Sequence, residues 1–176
     1  MRIKTVLVIV MLLLTLNVKS QTVIKKHTPI TYIEKYDSIA TVLMNEYKIP
    51  TSVILGISLH ESGYGTSKLS INKHNYFGIK KGNVYRSYKT DIESFRDFCL
   101  YISKKKYYLK LRENKVLDYK IWIANIKTGG YSESTNWGVK VSYYIDKYKL
   151  FGFDTLTTIR PIDIIEKLKP RTVFAF

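Results

Sequence analysis

Between Pro50 and Gly63 the chain reads PTSVILGISLHESG, and no other stretch constrains the fold as tightly. Val53, Ile54, Leu55, Ile57 and Leu59 form an apolar run that closes on a carboxyl group, Glu61, followed at once by Gly63 and Gly65. Pro50 suits the first turn of a helix, and the glycines stop that helix at about Ser62. Glu61 comes four residues after Ile57 and seven after Ile54, so the three share one helical face. A surface glutamate would take the opposite face. The spacing therefore predicts a carboxyl held partly out of water.

The rest of the chain supplies helices for this one to pack against. From Thr31 to Tyr47 the residues Ile33, Tyr36, Ile39, Ala40, Leu43 and Tyr47 recur at threes and fours, an amphipathic helix. SKLSINKHN reads as a short helical turn and a loop. YFGIKKGNVYRSYK carries two short β-type runs around KKGN, a small hairpin at about 77–88. Helical period resumes from Asp91 to Ile102 through Ile92, Phe95, Phe98 and Cys99. It returns from Asp118 to Lys127, ended by Gly129 and Gly130, and from Trp137 to Leu150 through Val141, Tyr144, Ile145 and Tyr148. SKKKYYLK (103–110) reads as the solvated end of the preceding helix, with two tyrosines tucked beneath. The fold expected is mainly α: a helical domain, 31–155, with one small hairpin lining a groove. Residues 21–30 form a lead-in, and 156–176 form a tail without clear period.

Residues 1–20 read as a leader rather than as part of the domain. Arg2 and Lys4 precede an apolar run from Val6 to Leu14, and Ser20 offers a small residue before Gln21, the layout of a secretory signal peptide. The run falls short of the ~20 residues that a spanning helix needs. The expected location is the periplasm or the exterior. Cys99 is the only cysteine, so an intramolecular disulfide is excluded and a buried, inert thiol is expected.

The whole chain carries a formal charge of +15. Without Arg2, Lys4 and Lys19, 26 basic residues face 14 acidic ones, or +12. Such an excess favours electrostatic association with an anionic envelope. The lysines are spread rather than grouped with aromatics on one patch, which argues against nucleic acid as the partner. A monomer is expected. His60 and His74 are too far apart to suggest a metal pair, and neither a metal site nor a cofactor is indicated.

Three local features push the Glu61 carboxyl toward its neutral form: the apolar stripe, the negative end of the helix dipole, and Tyr64 just beyond. A carboxylic acid that stays protonated near neutral pH is what protonates the leaving oxygen of a glycoside. A buried glutamate hydrogen-bonded to backbone is the competing account of the same position. ESGYGTSKLSINKHNYFGIK resembles the ESGWG…S…NNLFGIK signature of the glucosaminidase family, glycoside hydrolase family 73, within the lysozyme-like superfamily. The resemblance continues through YRSYKTDIESFRDF and through DYKIWIANIKTGGYSESTNWGVKVSYYIDKYKL, and covers about 32–153.

The resemblance implies a lysozyme-like fold and cleavage of the β-1,4 bond between N-acetylglucosamine and N-acetylmuramic acid in peptidoglycan glycan strands. It implies Glu61 as general acid and Tyr131 as a second important residue near the scissile bond. Tyr64, Asn75, Tyr76 and Trp137 are placed on the substrate wall. Asn75 serves either the loop or a sugar hydroxyl, Trp137 either the groove or a helix-start staple, and Phe77 the core. The chain departs from the family pattern at Ser132, Glu133 and Ser134, at Trp137, and in a hairpin with no acid between Ile79 and Tyr88. The expected second carboxylate is then Glu133, Asp91 or Glu93, unless the substrate's own N-acetyl group takes that part. A lysozyme or lytic transglycosylase, and a catalytically silent wall-binding module, are the rival readings.

Overall fold

A computed structural model describes residues 28–155, so the expected leader and the tail lie outside the described residues. Helix α1, Pro29–Tyr47, starts on a reciprocal cap in which Thr28 and Thr31 satisfy each other's backbone and side chain, with Pro29 in the first turn. Its inward face carries Tyr32, Ile33, Tyr36, Ala40 and Leu43. Lys48 takes a left-handed conformation and turns the chain into α2, Thr51–Glu61.

Helix α2 is the centre of the molecule. Every residue from Thr51 to Leu59 is buried, so this helix has no polar side. This corrects the expectation of a single apolar stripe: a helix wrapped by others shows no face to water, and its spacing could not reveal which side was covered. Helix α1 packs along it, and so does α7, Trp137–Lys147, which lies against Gly56. A Cβ added at Gly56 would lie 2.5 Å from the Ile145 side chain, so glycine is what permits that approach.

After α2 come a short α3, Lys68–Lys73, and the two-stranded antiparallel hairpin of β1, Lys80–Lys81, and β2, Val84–Tyr85. Lys80 pairs with Tyr85 and Lys81 with Val84, and all four are exposed. Helix α4, Asp91–Ser103, buries Phe95, Phe98, Cys99 and Ile102. Cys99 is fully buried, and burial pushes its thiol pKa up. Aromatic rings tie α1 to α4 through the segment before the hairpin. Tyr36 stacks on Phe95 at 5.0 Å, and Phe77 stacks on Phe98 at 4.2 Å.

SKKKYYLK does not simply fray from α4. It opens a separate helix, α5, Lys106–Glu113, which buries only Tyr108 and Leu111. Helix α6, Tyr119–Thr128, capped by Asp118, and then α7 complete the bundle. A 3-10 turn, Leu150–Phe153, returns the chain to the start of α2. No described helix is long and apolar enough to cross a membrane.

Candidate active site

Glu61 is the last residue of α2, at the point where the central helix emerges from the core. The chain then bends away through three consecutive left-handed residues, Gly63, Tyr64 and Gly65, at φ 55°, 47° and 81°. Two glycines make this run affordable, and Tyr64 takes the strain of a side chain in that region. The turn is locked from behind. Ser62 donates its hydroxyl to the Ser58 carbonyl and accepts the Gly65 N–H, while the Tyr64 N–H bonds the Leu59 carbonyl. A Cβ on Gly65 would also press on the Tyr32 ring at 3.2 Å. The carboxyl group is thus left on an open wall, while the backbone that presents it is fixed.

Burial pushes the Glu61 pKa above its ordinary value. The indole N–H of Trp137, 2.7 Å from Oε1, pulls the other way without reversing the shift. Glu61 opens into a cleft of about 700 Å³. One wall is the hairpin, from Phe77 to Lys80 with Tyr85. The other is the loop from Gly130 to Ser134, and Tyr101 of α4 closes one side.

One contact ties the two walls together, and a second group orders the loop wall by itself. The Tyr131 hydroxyl donates to the Phe77 carbonyl at 2.8 Å, bridging loop and hairpin. The Lys127 ammonium donates to the carbonyls of Ser132 and Ser134 at 2.7 and 2.6 Å, gathering the loop around one cation. Tyr131 is partly buried, and its pKa is raised well above normal by burial and by the nearby Glu61 charge. Its ring lies 5.3 Å from that of Trp137.

Of the residues expected on the substrate wall, several have other employment. Asn75 is 1% exposed. Its amide donates to the carbonyls of Ile79 and Arg86, and its Oδ1 accepts from the N–H groups of Phe77 and Ile79. It brackets the hairpin from inside and has no hydrogen-bonding capacity left for a sugar. Tyr76 is 6% exposed and shares a hydroxyl–hydroxyl bond of 2.8 Å with Tyr36, so it belongs to the core rather than the groove. Trp137 is buried behind Glu61 and offers no face for a sugar ring. Tyr64 is partly buried against the core and does not line the cleft.

The candidate second carboxylates separate just as clearly. Asp91 accepts from the Tyr36 hydroxyl at 2.7 Å, from His74 at 2.7 Å and from Lys35 at 3.0 Å, away from the cleft. Burial alone would raise its pKa, but these three partners outweigh it and hold the carboxyl at about 2. Glu93 accepts the Lys89 N–H at the start of α4, a helix-capping role. Glu133 alone of the three lines the cleft that holds Glu61, and it is exposed there. Lys80, Tyr85 and Tyr101 also line it, and sequence reasoning missed them. The signal for Tyr101 was its place three residues after Phe98, at the rim of the buried stripe of α4.

The family model described as glucosaminidase, mannosyl-glycoprotein endo-beta-N-acetylglucosaminidase, matches residues 37–150. The exo-glucosaminidase LytG of Bacillus subtilis (strain 168) is 23% identical over 168 residues, covering 81% of this chain. The chain spans 60% of that relative's length. Among solved structures, the catalytic domain of the autolysin Auto from Listeria monocytogenes superposes with a TM-score of 0.62 at 24% identity, over 72% of this chain and 87% of that one. An N-acetylmuramoyl-L-alanine amidase from Staphylococcus aureus superposes with a TM-score of 0.66 at 20% identity, over 84% of this chain and 49% of that one. Both structural likenesses speak to the fold.

Proposed function

This chain belongs to the mannosyl-glycoprotein endo-beta-N-acetylglucosaminidase family, and from that premise we propose that it hydrolyses the β-1,4 bond between N-acetylglucosamine and N-acetylmuramic acid in peptidoglycan, with Glu61 as general acid. The observation that carries the reading is a single one: a carboxyl group whose pKa is raised by burial, presented by a rigid turn into an open cleft. As the bond from the anomeric carbon to the bridging oxygen breaks, its electron pair stays with the oxygen, which takes the Glu61 proton. The acid becomes a carboxylate; water then adds its oxygen to the anomeric carbon and gives up one proton to a carboxylate of the cleft, after which Glu61 is reprotonated for the next turnover. Glu133 is the carboxylate that shares the cleft, and its role in this reading is to steady the positive charge at the anomeric carbon or to activate that water. Tyr131 keeps the two walls at their working separation.

The pattern of residues 1–20 supports export, with a mature chain that begins near Gln21 in the periplasm or outside the cell. There the +12 charge draws the enzyme, a monomer, to the anionic envelope that holds its substrate. The test is mass spectrometry of muropeptides released from purified sacculi by the mature protein. A new reducing end on N-acetylglucosamine supports the assignment. A reducing N-acetylmuramic acid or its anhydro form would move the chain to muramidase chemistry, and no release at all would leave a wall-binding module.

A further inference from the structure

We propose that Trp137 is a positioning residue for the general acid: its indole N–H holds Oε1 of Glu61, so that Oε2 is the oxygen that carries and delivers the proton. The inference rests on the reading of Glu61 given above and adds which of its two oxygens works, and why.

An indole N–H can only donate. The oxygen it contacts, Oε1 at 2.7 Å, therefore acts as acceptor in both protonation states of the carboxyl, and the acid proton resides on Oε2. Among the described residues Trp137 is the hydrogen-bond partner of the Glu61 side chain, so the orientation of the carboxyl plane depends on this contact. The indole itself is well fixed. Trp137 is 2% exposed, packs beside Tyr131 and opens α7, whose register on α2 is set by the close approach at Gly56. The same helix pair thus supplies both the acid and the group that aims it.

The geometry also favours the forward step. When the glycosidic oxygen takes the proton from Oε2, negative charge appears on a carboxylate already bonded to an N–H. That hydrogen bond becomes charge-assisted and stronger as the charge grows. The indole thereby tempers the effect of burial, which alone would hold the proton too firmly.

Two measurements test the proposal. The chain has two tryptophans, and Trp122 donates its indole N–H to the Val116 carbonyl, which makes it an internal control. In a pH titration followed by proton–nitrogen correlation spectra, the Trp137 indole signal should move with the ionisation of Glu61, and the Trp122 signal should not. In E61Q the Trp137 signal should stop titrating. Kinetically, W137F should lower kcat on sacculi about tenfold or more through lost aim, with KM within about twofold. It should also move the alkaline limb of the kcat profile to higher pH, since a donor that favoured the carboxylate is gone. W137Y, which returns a donor, should recover part of both changes.

An indole signal indifferent to pH would overturn the proposal, as would W137F with wild-type kcat and pH profile. A loss of kcat with an unmoved alkaline limb and no recovery in W137Y would also overturn it, by reducing Trp137 to packing. If W137F does not fold, the titration decides. Full activity in E61Q would instead refute the general-acid reading, an outcome separate from all of these.

Discussion

Asp154 caps the helix that carries Glu61 from 102 residues further along the chain: its carboxylate accepts the Ser52 backbone N–H at 2.8 Å and the Ser52 hydroxyl at 2.6 Å. The two bonds satisfy orphan groups at the first turn of a helix with no access to water, and they place negative charge at the positive end of the helix dipole. The 3-10 turn before Asp154 is therefore part of the architecture that holds the site. Asp154→Ala should cost about 1–3 kcal/mol by leaving buried donors unpaired. Thermal unfolding followed by circular dichroism should show a Tm lower by roughly 3–10 °C. Because burial raises the Asp154 pKa despite the Ser52 bonds, Asp154→Asn should cost less than Asp154→Ala.

Asp91 should contribute to the response to acid. Its pKa is lowered from 3.8 to about 2, so the stability it contributes is complete above 3.8 and is lost as pH falls through about 2. Exposure of Lys35 and His74 discounts the contribution to about 1–2 kcal/mol. Asp91→Asn should be less stable than wild type at pH 6 and should lose less further stability between pH 4 and pH 2. Denaturant titrations at the three pH values measure both differences. Equal slopes for the two proteins in acid would show that the network around Asp91 is energetically silent.

Tyr131→Phe removes one oxygen and with it the strut to the Phe77 carbonyl. The ring and its contacts with Phe98, Tyr101 and Trp137 stay. Turnover of sacculi should fall by more than about tenfold, a barrier rise of about 1.4 kcal/mol or more, with the helical circular dichroism unchanged. Wild-type turnover would reassign Tyr131 to packing.

Glu133→Gln asks whether the exposed acid of the 130–134 loop takes part in the chemistry. If it acts as the second carboxylate, kcat should fall about 10² or more while substrate still binds. A near-wild-type rate would hand the role to the substrate's own N-acetyl group.

Most helices were legible because their apolar residues recur at threes and fours and are bounded by Pro50, Gly63, Asp118 and Gly129. Helix α5 was not. It opens on Lys105 and Lys106 and buries only two side chains, too little to leave a periodic signal. Glu61 stood out because it closes an apolar run. A single apolar stripe is too narrow a description of that run, since α2 is buried from Thr51 to Leu59 and the carboxyl escapes only at its end. Asn75, Tyr76 and Trp137 carry the right chemistry for sugar binding, which is why the sequence points them to the wall. Their partners decide otherwise. Tyr76 answers to Tyr36 forty residues away, and Trp137 to Glu61 across 76 residues. No local spacing encodes such pairs, because they exist only once the helices have packed.

The most direct measurement is the rate at which Glu61→Gln digests purified sacculi, beside wild type and with binding to the same sacculi recorded. The amide keeps the size of the side chain and an acceptor for the Trp137 indole, but it has no acidic proton to give. It also removes a group whose ionisation costs stability as pH rises, because the folded-state pKa is raised. The variant should therefore unfold at or above the wild-type Tm at neutral pH, so lost activity cannot be laid to lost structure. The account predicts a rate lower by at least about 10² with binding retained. Digestion as fast as wild type would contradict it.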